Sequence, residues 1–184
     1  MSRLIFVTGG ARSGKSTFAE KFAKEKTEKV TYIATAIPFD EGMTHRIEKH
    51  REQRPKDWGL LEMYRDFDKI IDSEAYRDCD LLLVDCLTIL VSNHMIYSGI
   101  DFDTCHPSEV DELEAKIKDD INSLLRFSSE RDMIVVSNEI GMGLVPPYKM
   151  GAYFRDVAGR MNQFLASMAD DVYFIVSGIE MKIK

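Results

Sequence analysis

Residues 9–16 read Gly9-Gly10-Ala11-Arg12-Ser13-Gly14-Lys15-Ser16, which satisfies GxxxxGK(S/T) at every fixed position. The short apolar run Leu4-Ile5-Phe6-Val7 precedes it, and a helix-compatible stretch opens near Lys15. That strand, glycine-rich turn and helix are the context in which the motif has physical meaning. The glycines let the backbone curl until its N–H groups face inward on phosphate oxygens. The positive end of the following helix adds to the attraction. Lys15 is expected to reach the β and γ phosphates, and the Ser16 hydroxyl to ligate Mg²⁺. A plain strand-to-helix turn has no need of Lys and Ser at these two offsets.

The rest of the chain repeats the same alternation. Apolar runs rich in β-formers recur at Val30 to Ala34, Leu81 to Val84, Met133 to Val136 and Val172 to Val176. Strands that are apolar throughout belong to a sheet covered on both faces. Between them, Val110, Leu113, Ile117, Ile121, Leu124 and Leu125 recur at helical spacing behind a Pro107-Ser108 start. A second helical stripe runs Phe154, Val157, Ala158, Met161, Leu165, Met168. The alternation predicts right-handed crossovers and an α/β fold of the P-loop NTPase (RecA-like) type, a mostly parallel central sheet flanked by helices. Without repeats or a dividing linker, residues 1–184 are expected to form one domain. The stretch from about Ser92 to Ser108 has little pattern and is expected to be a helix end and a surface loop.

Composition narrows the ligand class. A net charge of −7 argues against a nucleic-acid polyanion as the main partner and favours a small molecule. Three cysteines without a CxxC pair fit neither a disulfide framework nor a thiolate zinc site, so a reducing cytoplasm is the expected location. No apolar run approaches the roughly 20 residues needed to span a bilayer.

Two further features carry chemistry. Leu81-Leu82-Leu83-Val84-Asp85 is an apolar strand ending in a carboxylate, the arrangement expected of a second Mg²⁺-site residue beside Ser16. Arg46, His50 and Arg54 stand at i, i+4 and i+8 in a polar, helix-compatible segment stopped by Pro55, which stacks two guanidiniums around an imidazole. Such neighbours lower an imidazole pKa and bind phosphate, so His50 is a candidate nucleophile toward phosphorus. The same residues also suit a solvated charged helix, and spacing alone leaves both readings open. Asn138 and Glu139, just past a strand end, fit either a ligand-binding loop or a plain turn.

Taken in order, these segments resemble the bifunctional adenosylcobinamide kinase and adenosylcobinamide-phosphate guanylyltransferase family of cobalamin biosynthesis. The likeness runs from Val7 through Ser16, then through Tyr32 to Ala36, Arg46-Ile47 with His50, and Arg54-Pro55. It resumes at Asn138-Glu139-Ile140-Gly141-Met142-Gly143-Leu144-Val145-Pro146, at Phe154-Arg155-Asp156 with Gly159-Arg160 and Asn162-Gln163, and at Val176-Ser177-Gly178-Ile179. The Asn-Glu-Ile-Gly-Met-Gly block and the Ser-Gly-Ile close are its specific parts.

The resemblance implies two reactions. ATP or GTP phosphorylates the aminopropanol hydroxyl of adenosylcobinamide, and GTP then donates GMP to adenosylcobinamide phosphate through a guanylylated histidine. It places that role on His50 and implies nucleotide contacts at Gly9 to Ser16, Ala34, Thr35, Ala36, Arg51, Glu52, Gln53, Arg54, Glu62 and Asp85. It also implies a homotrimer. Some members carry a second histidine before the nucleophile, where this chain has Lys49, and that changes the surroundings of His50. The competing readings are a P-loop small-molecule kinase with no covalent step and a regulatory GTPase. The second lacks the usual Asn-Lys-x-Asp run, and its only DxxG match, Asp156 to Gly159, falls inside a helical pattern.

Overall fold

A computed structural model of the chain describes residues 2–37 and 55–184. Its centre is a seven-stranded sheet built from β1 (Leu4–Gly9), β2 (Val30–Ala34), β3 (Gly59–Glu62), β4 (Leu81–Asp85), β5 (Asp132–Asn138), β6 (Asp171–Val176) and β7 (Ile179–Lys182). The spatial order is β3-β2-β4-β5-β1-β6-β7, parallel throughout except for the final β6–β7 pair. One strand, β5, lies between the motif-bearing β1 and the Asp85-bearing β4. That is the RecA-like arrangement of a P-loop NTPase.

The strands are apolar throughout because both faces are covered. From β1, Leu4 and Phe6 enter one core and Ile5 and Val7 the other, as the two-residue period requires. The larger core packs against three helices, α3 (Leu87–Ile96), α4 (Pro107–Leu125) and α5 (Lys149–Met168). The smaller packs against α1 (Lys15–Lys26) through Ala19 and Ala23, with Trp58 at its margin. A one-turn helix, α2 (Glu74–Arg77), sits near the β3 edge, where Thr31 donates to the Ala75 carbonyl.

The helical stripe predicted for residues 110–125 is the buried face of α4 in full. Its start is sharper than Pro107-Ser108 alone implied. His106 is the N-cap: its Nδ1 accepts from the Ser108 N–H, while the Glu109 carboxylate accepts from the His106 N–H. Asp156 to Gly159 lie within α5, as the periodicity indicated.

Two strands escape the pattern. β3 is a four-residue edge strand, too short for alternation to register, and all four residues of β7 are exposed. β6 and β7 are joined by Ser177 and Gly178 at φ 51° and 82°, the two-residue hairpin turn with positive φ at both positions. The Ser92–Ser108 stretch continues α3 to Ile96 and then loops, but it is not wholly superficial. Asn93 and Phe102 are buried.

Candidate nucleotide site

The phosphate loop crosses the C-terminal edge of the sheet, where β1 delivers Gly9 and α1 begins at Lys15. Gly9 has φ +153°, and a β-carbon there would lie 2.4 Å from the Ile175 carbonyl oxygen. No side chain fits so close to a neighbouring strand. Gly14, at φ +97°, is the left-handed residue before the helix, and a β-carbon on it would meet the Gly178 Cα at 3.3 Å. The Gly178 N–H donates to the Ser13 carbonyl at 2.8 Å. The β6–β7 turn therefore props the loop from behind, which gives the Ser177-Gly178-Ile179 segment a structural reason. Gly10, Ala11 and Arg12 are exposed at the crest, while Ser13 and Lys15 are buried.

Lys15 folds back over its own loop, its ammonium donating to the Gly10 carbonyl at 2.7 Å. Burial lowers its pKa, and the nearby Cys86 and Asp85 oppose that shift. A triphosphate at this edge would exchange one carbonyl for several anionic oxygens, a stronger set of partners for a desolvated cation. Asp85 ends β4 half-buried, and its Oδ2 accepts from the Tyr32 hydroxyl at 2.8 Å. Its neighbour Cys86 is buried and its thiol is pushed up to about 12, by burial first and then by Asp85, so it stays protonated.

The sheet register puts other sequence candidates in line with Asp85. Ala34 pairs with Asp85 on one side and with Glu62 on the other. Glu62 is exposed at the end of β3, and Ala36 is half-buried beyond β2. Thr35 differs, because it is 0% exposed. Its Oγ1 donates to the Cys86 carbonyl and accepts from the Cys86 N–H, each at 2.8 Å, while its own carbonyl accepts from Asn93 Nδ2 at 2.7 Å. Thr35 is a bolt between β2, β4 and α3, with its side chain fully occupied. His50, Arg51, Glu52, Gln53 and Arg54, with Arg46, lie outside the described residues.

Asn138 is the last residue of β5 and Glu139 the first beyond it, between the phosphate loop and Asp85. The Glu139 N–H donates to the Gly9 carbonyl at 2.8 Å, and the Glu139 carboxylate accepts from the Gly141 N–H. Beneath them runs a buried polar network. Thr88 and Ser137 hydroxyls meet at 3.0 Å, Ser137 donates to Asn162 Oδ1 at 2.6 Å, and Asn162 Nδ2 donates to the Asn138 carbonyl at 3.0 Å. The Asn138 N–H in turn donates to Thr88 Oγ1 at 2.6 Å. Sequence reasoning passed over Asn93, Thr88 and Ser137, and met Asn162 only as part of the family resemblance without a role, because a small polar residue inside an apolar pattern announces no partner.

The remaining described histidines stand apart. His106 caps α4, and His94 sits between α3 and α4 with Nε2 3.2 Å from Asp120 Oδ2, out of line for a hydrogen bond. Burial lowers the His94 pKa and raises that of Asp120, so the pair leans toward its uncharged forms.

The sequence pattern of the cobinamide kinase / cobinamide phosphate guanyltransferase family matches residues 5–183. The chain belongs to that family. It is 40% identical over 185 residues to the bifunctional adenosylcobalamin biosynthesis protein CobU of Escherichia coli (strain K12), covering 98% of this chain and 99% of that protein. The CobU of Salmonella typhimurium (strain LT2) is equally similar, at 40% identity over the same shares. The bifunctional adenosylcobalamin biosynthesis protein CobP of Pseudomonas aeruginosa is 38% identical over 181 residues, covering 97% of this chain and 95% of its own. Membership makes the chain a transferase of cobalamin biosynthesis, a cobinamide kinase and cobinamide-phosphate guanylyltransferase. The blocks that first suggested the family now have places. Asn138 to Pro146 leave β5 beside the phosphate loop, Phe154 to Gln163 lie in α5, and Val176 to Ile179 form the supporting turn.

Proposed function

We propose that the Gly9–Ser16 loop binds the nucleoside triphosphate for both family reactions and that His50 carries GMP between them. The observation behind this is the meeting of Lys15, Ser16 and Asp85 at one sheet edge, in a chain matched to the family over nearly its whole length. In the first reaction the cobinamide hydroxyl oxygen attacks the γ-phosphorus and the nucleoside diphosphate leaves. In the second the imidazole nitrogen of His50 attacks the α-phosphorus of GTP and pyrophosphate leaves. A phosphate oxygen of cobinamide phosphate then displaces the histidine, giving adenosylcobinamide-GDP. An N–P bond keeps high transfer potential, so the detour divides one difficult displacement into two easier ones.

The chain's own groups suit this chemistry. Backbone N–H groups of the loop and the start of α1 bind phosphate oxygens, and Lys15 supplies a desolvated positive charge. Ala34, Ala36, Glu62 and Asp85 share the same edge, and Thr35 contributes by fixing that segment through its bonds to Cys86 and Asn93. The Ser16 hydroxyl and the Asp85 carboxylate are hard oxygen donors, a set that fits Mg²⁺ once phosphate oxygens complete it. When bound, Mg²⁺ would offset negative charge on the phosphoryl oxygens. A corrinoid is broad and largely apolar, and Met142, Leu144 and Val145 stand exposed on the loop that continues from Glu139. That supports a substrate lying over this edge, completed in a homotrimer by a neighbouring subunit.

Incubation of the protein with adenosylcobinamide and either ATP or GTP, with mass analysis of the corrinoid, tests the reading. The expected masses are those of the phosphate with either nucleotide and of the GDP derivative with GTP. Phosphate alone under all conditions would leave a simple kinase.

A further inference from the structure

Two opposite charges share the sheet edge without pairing. Lys15 is engaged by the Gly10 carbonyl and Asp85 by the Tyr32 hydroxyl, and among the described residues no ion pair joins Lys15 to Asp85. Tyr32 lies opposite Leu83, two residues short of Asp85, with its ring in the smaller core and 3% exposed. Two residues of parallel strand advance about 6.6 Å, close to the reach of a tyrosine from Cα to hydroxyl. The phenol therefore runs along the sheet under Ala34 and emerges at the strand end, where only its oxygen is polar. Ala34, the residue between Tyr32 and the edge on the same face, is small enough to let it pass.

A neutral donor on Oδ2 fixes the carboxylate's rotamer while leaving its charge and its second oxygen uncommitted. Pairing with Lys15 would instead neutralise both groups that the nucleotide needs. We propose that Tyr32 is a positioning residue, whose hydroxyl holds the Asp85 carboxylate ready for the nucleotide's divalent cation and apart from Lys15. The inference rests on the reading of Asp85 as a cation-site residue.

Tyr32→Phe removes the hydroxyl and keeps the ring, and Mn²⁺ serves as the probe. The intact protein is loaded with a non-hydrolysable GTP analogue, and free Mn²⁺ is followed by electron paramagnetic resonance. The expected result is Mn²⁺ affinity about tenfold weaker in Tyr32→Phe, with analogue affinity in EDTA unchanged. Asp85→Asn should also weaken Mn²⁺, and the double variant should lose no more than Asp85→Asn alone. Wild-type Mn²⁺ affinity in Tyr32→Phe, beside a weakened Asp85→Asn, would overturn the positioning role and leave the Asp85 reading standing. A full Tyr32 effect added on top of Asp85→Asn, or an equal loss of analogue binding in EDTA, would also overturn it. Unchanged Mn²⁺ affinity in Asp85→Asn would remove the reading on which the inference rests.

Discussion

A methyl group on Gly9 would press on the Ile175 carbonyl at 2.4 Å, and the backbone there cannot yield without parting β1 from β6. Gly9→Ala should therefore store about 1–3 kcal/mol of strain, and calorimetric titration should show nucleotide binding weakened by about tenfold or more. The motif made this glycine visible in the sequence, but the neighbour that enforces it is some 166 residues away and carries no local signal. His94 shows the reverse, a residue without sequence context that acquires one on folding. Its folded pKa lies below its usual 6.5 because it is buried, so the unfolded chain binds more protons just below that value. Stability should then fall as pH drops through 6.5 and level off below the folded pKa. Asp120, raised above 3.8, works in the opposite sense at lower pH. Urea melts at about pH 7.5 and about pH 5.5 should show a smaller difference for His94→Asn than for the wild type.

Among the elements, β5 does the most to assemble the site, since its end lies between the phosphate loop and Asp85. α5 helps to fix that end through Asn162, together with Thr88 of α3. Asn162→Ala would strip partners from the buried Ser137 hydroxyl and the Asn138 carbonyl together. A loss of about 2 kcal/mol in denaturant unfolding is expected, with greater proteolytic sensitivity in the loop after Asn138. The helices α4 and α5 were readable from periodicity because each buries a stripe, and the central strands from continuous apolar runs because both their faces are covered. The network was not, because Thr88, Ser137 and Asn162 are ordinary polar residues until three elements bring them together. β3 and β7 were missed for another reason, since short edge strands have too little burial to leave a pattern. β3 nevertheless brings Glu62 into the row of Ala34 and Asp85, so an element hidden from periodicity carries a site candidate.

At the scale of the molecule, an acidic chain with a net charge of −7 brings its phosphate loop, Ala34, Glu62 and Asp85 to one edge of the sheet. The phosphate loop alone identified a triphosphate site, and the Asn138-to-Pro146 and Ser177-to-Ile179 blocks identified the family. The structure adds how those blocks meet the loop: one is pinned to Gly9 through Glu139, and the other props Ser13 through Gly178. In the proposed mechanism, the step that separates this enzyme from an ordinary kinase rests on His50, which stands between Arg46 and Arg54 in the sequence. The decisive measurement is incubation of the wild type and His50→Ala with GTP labelled at the α-phosphate, followed by denaturation and treatment with acid or alkali. The account predicts label on the wild-type protein that is lost in acid and retained in alkali, and none on His50→Ala. Equal labelling of His50→Ala, or no labelling of a wild type that still forms adenosylcobinamide-GDP, would contradict it.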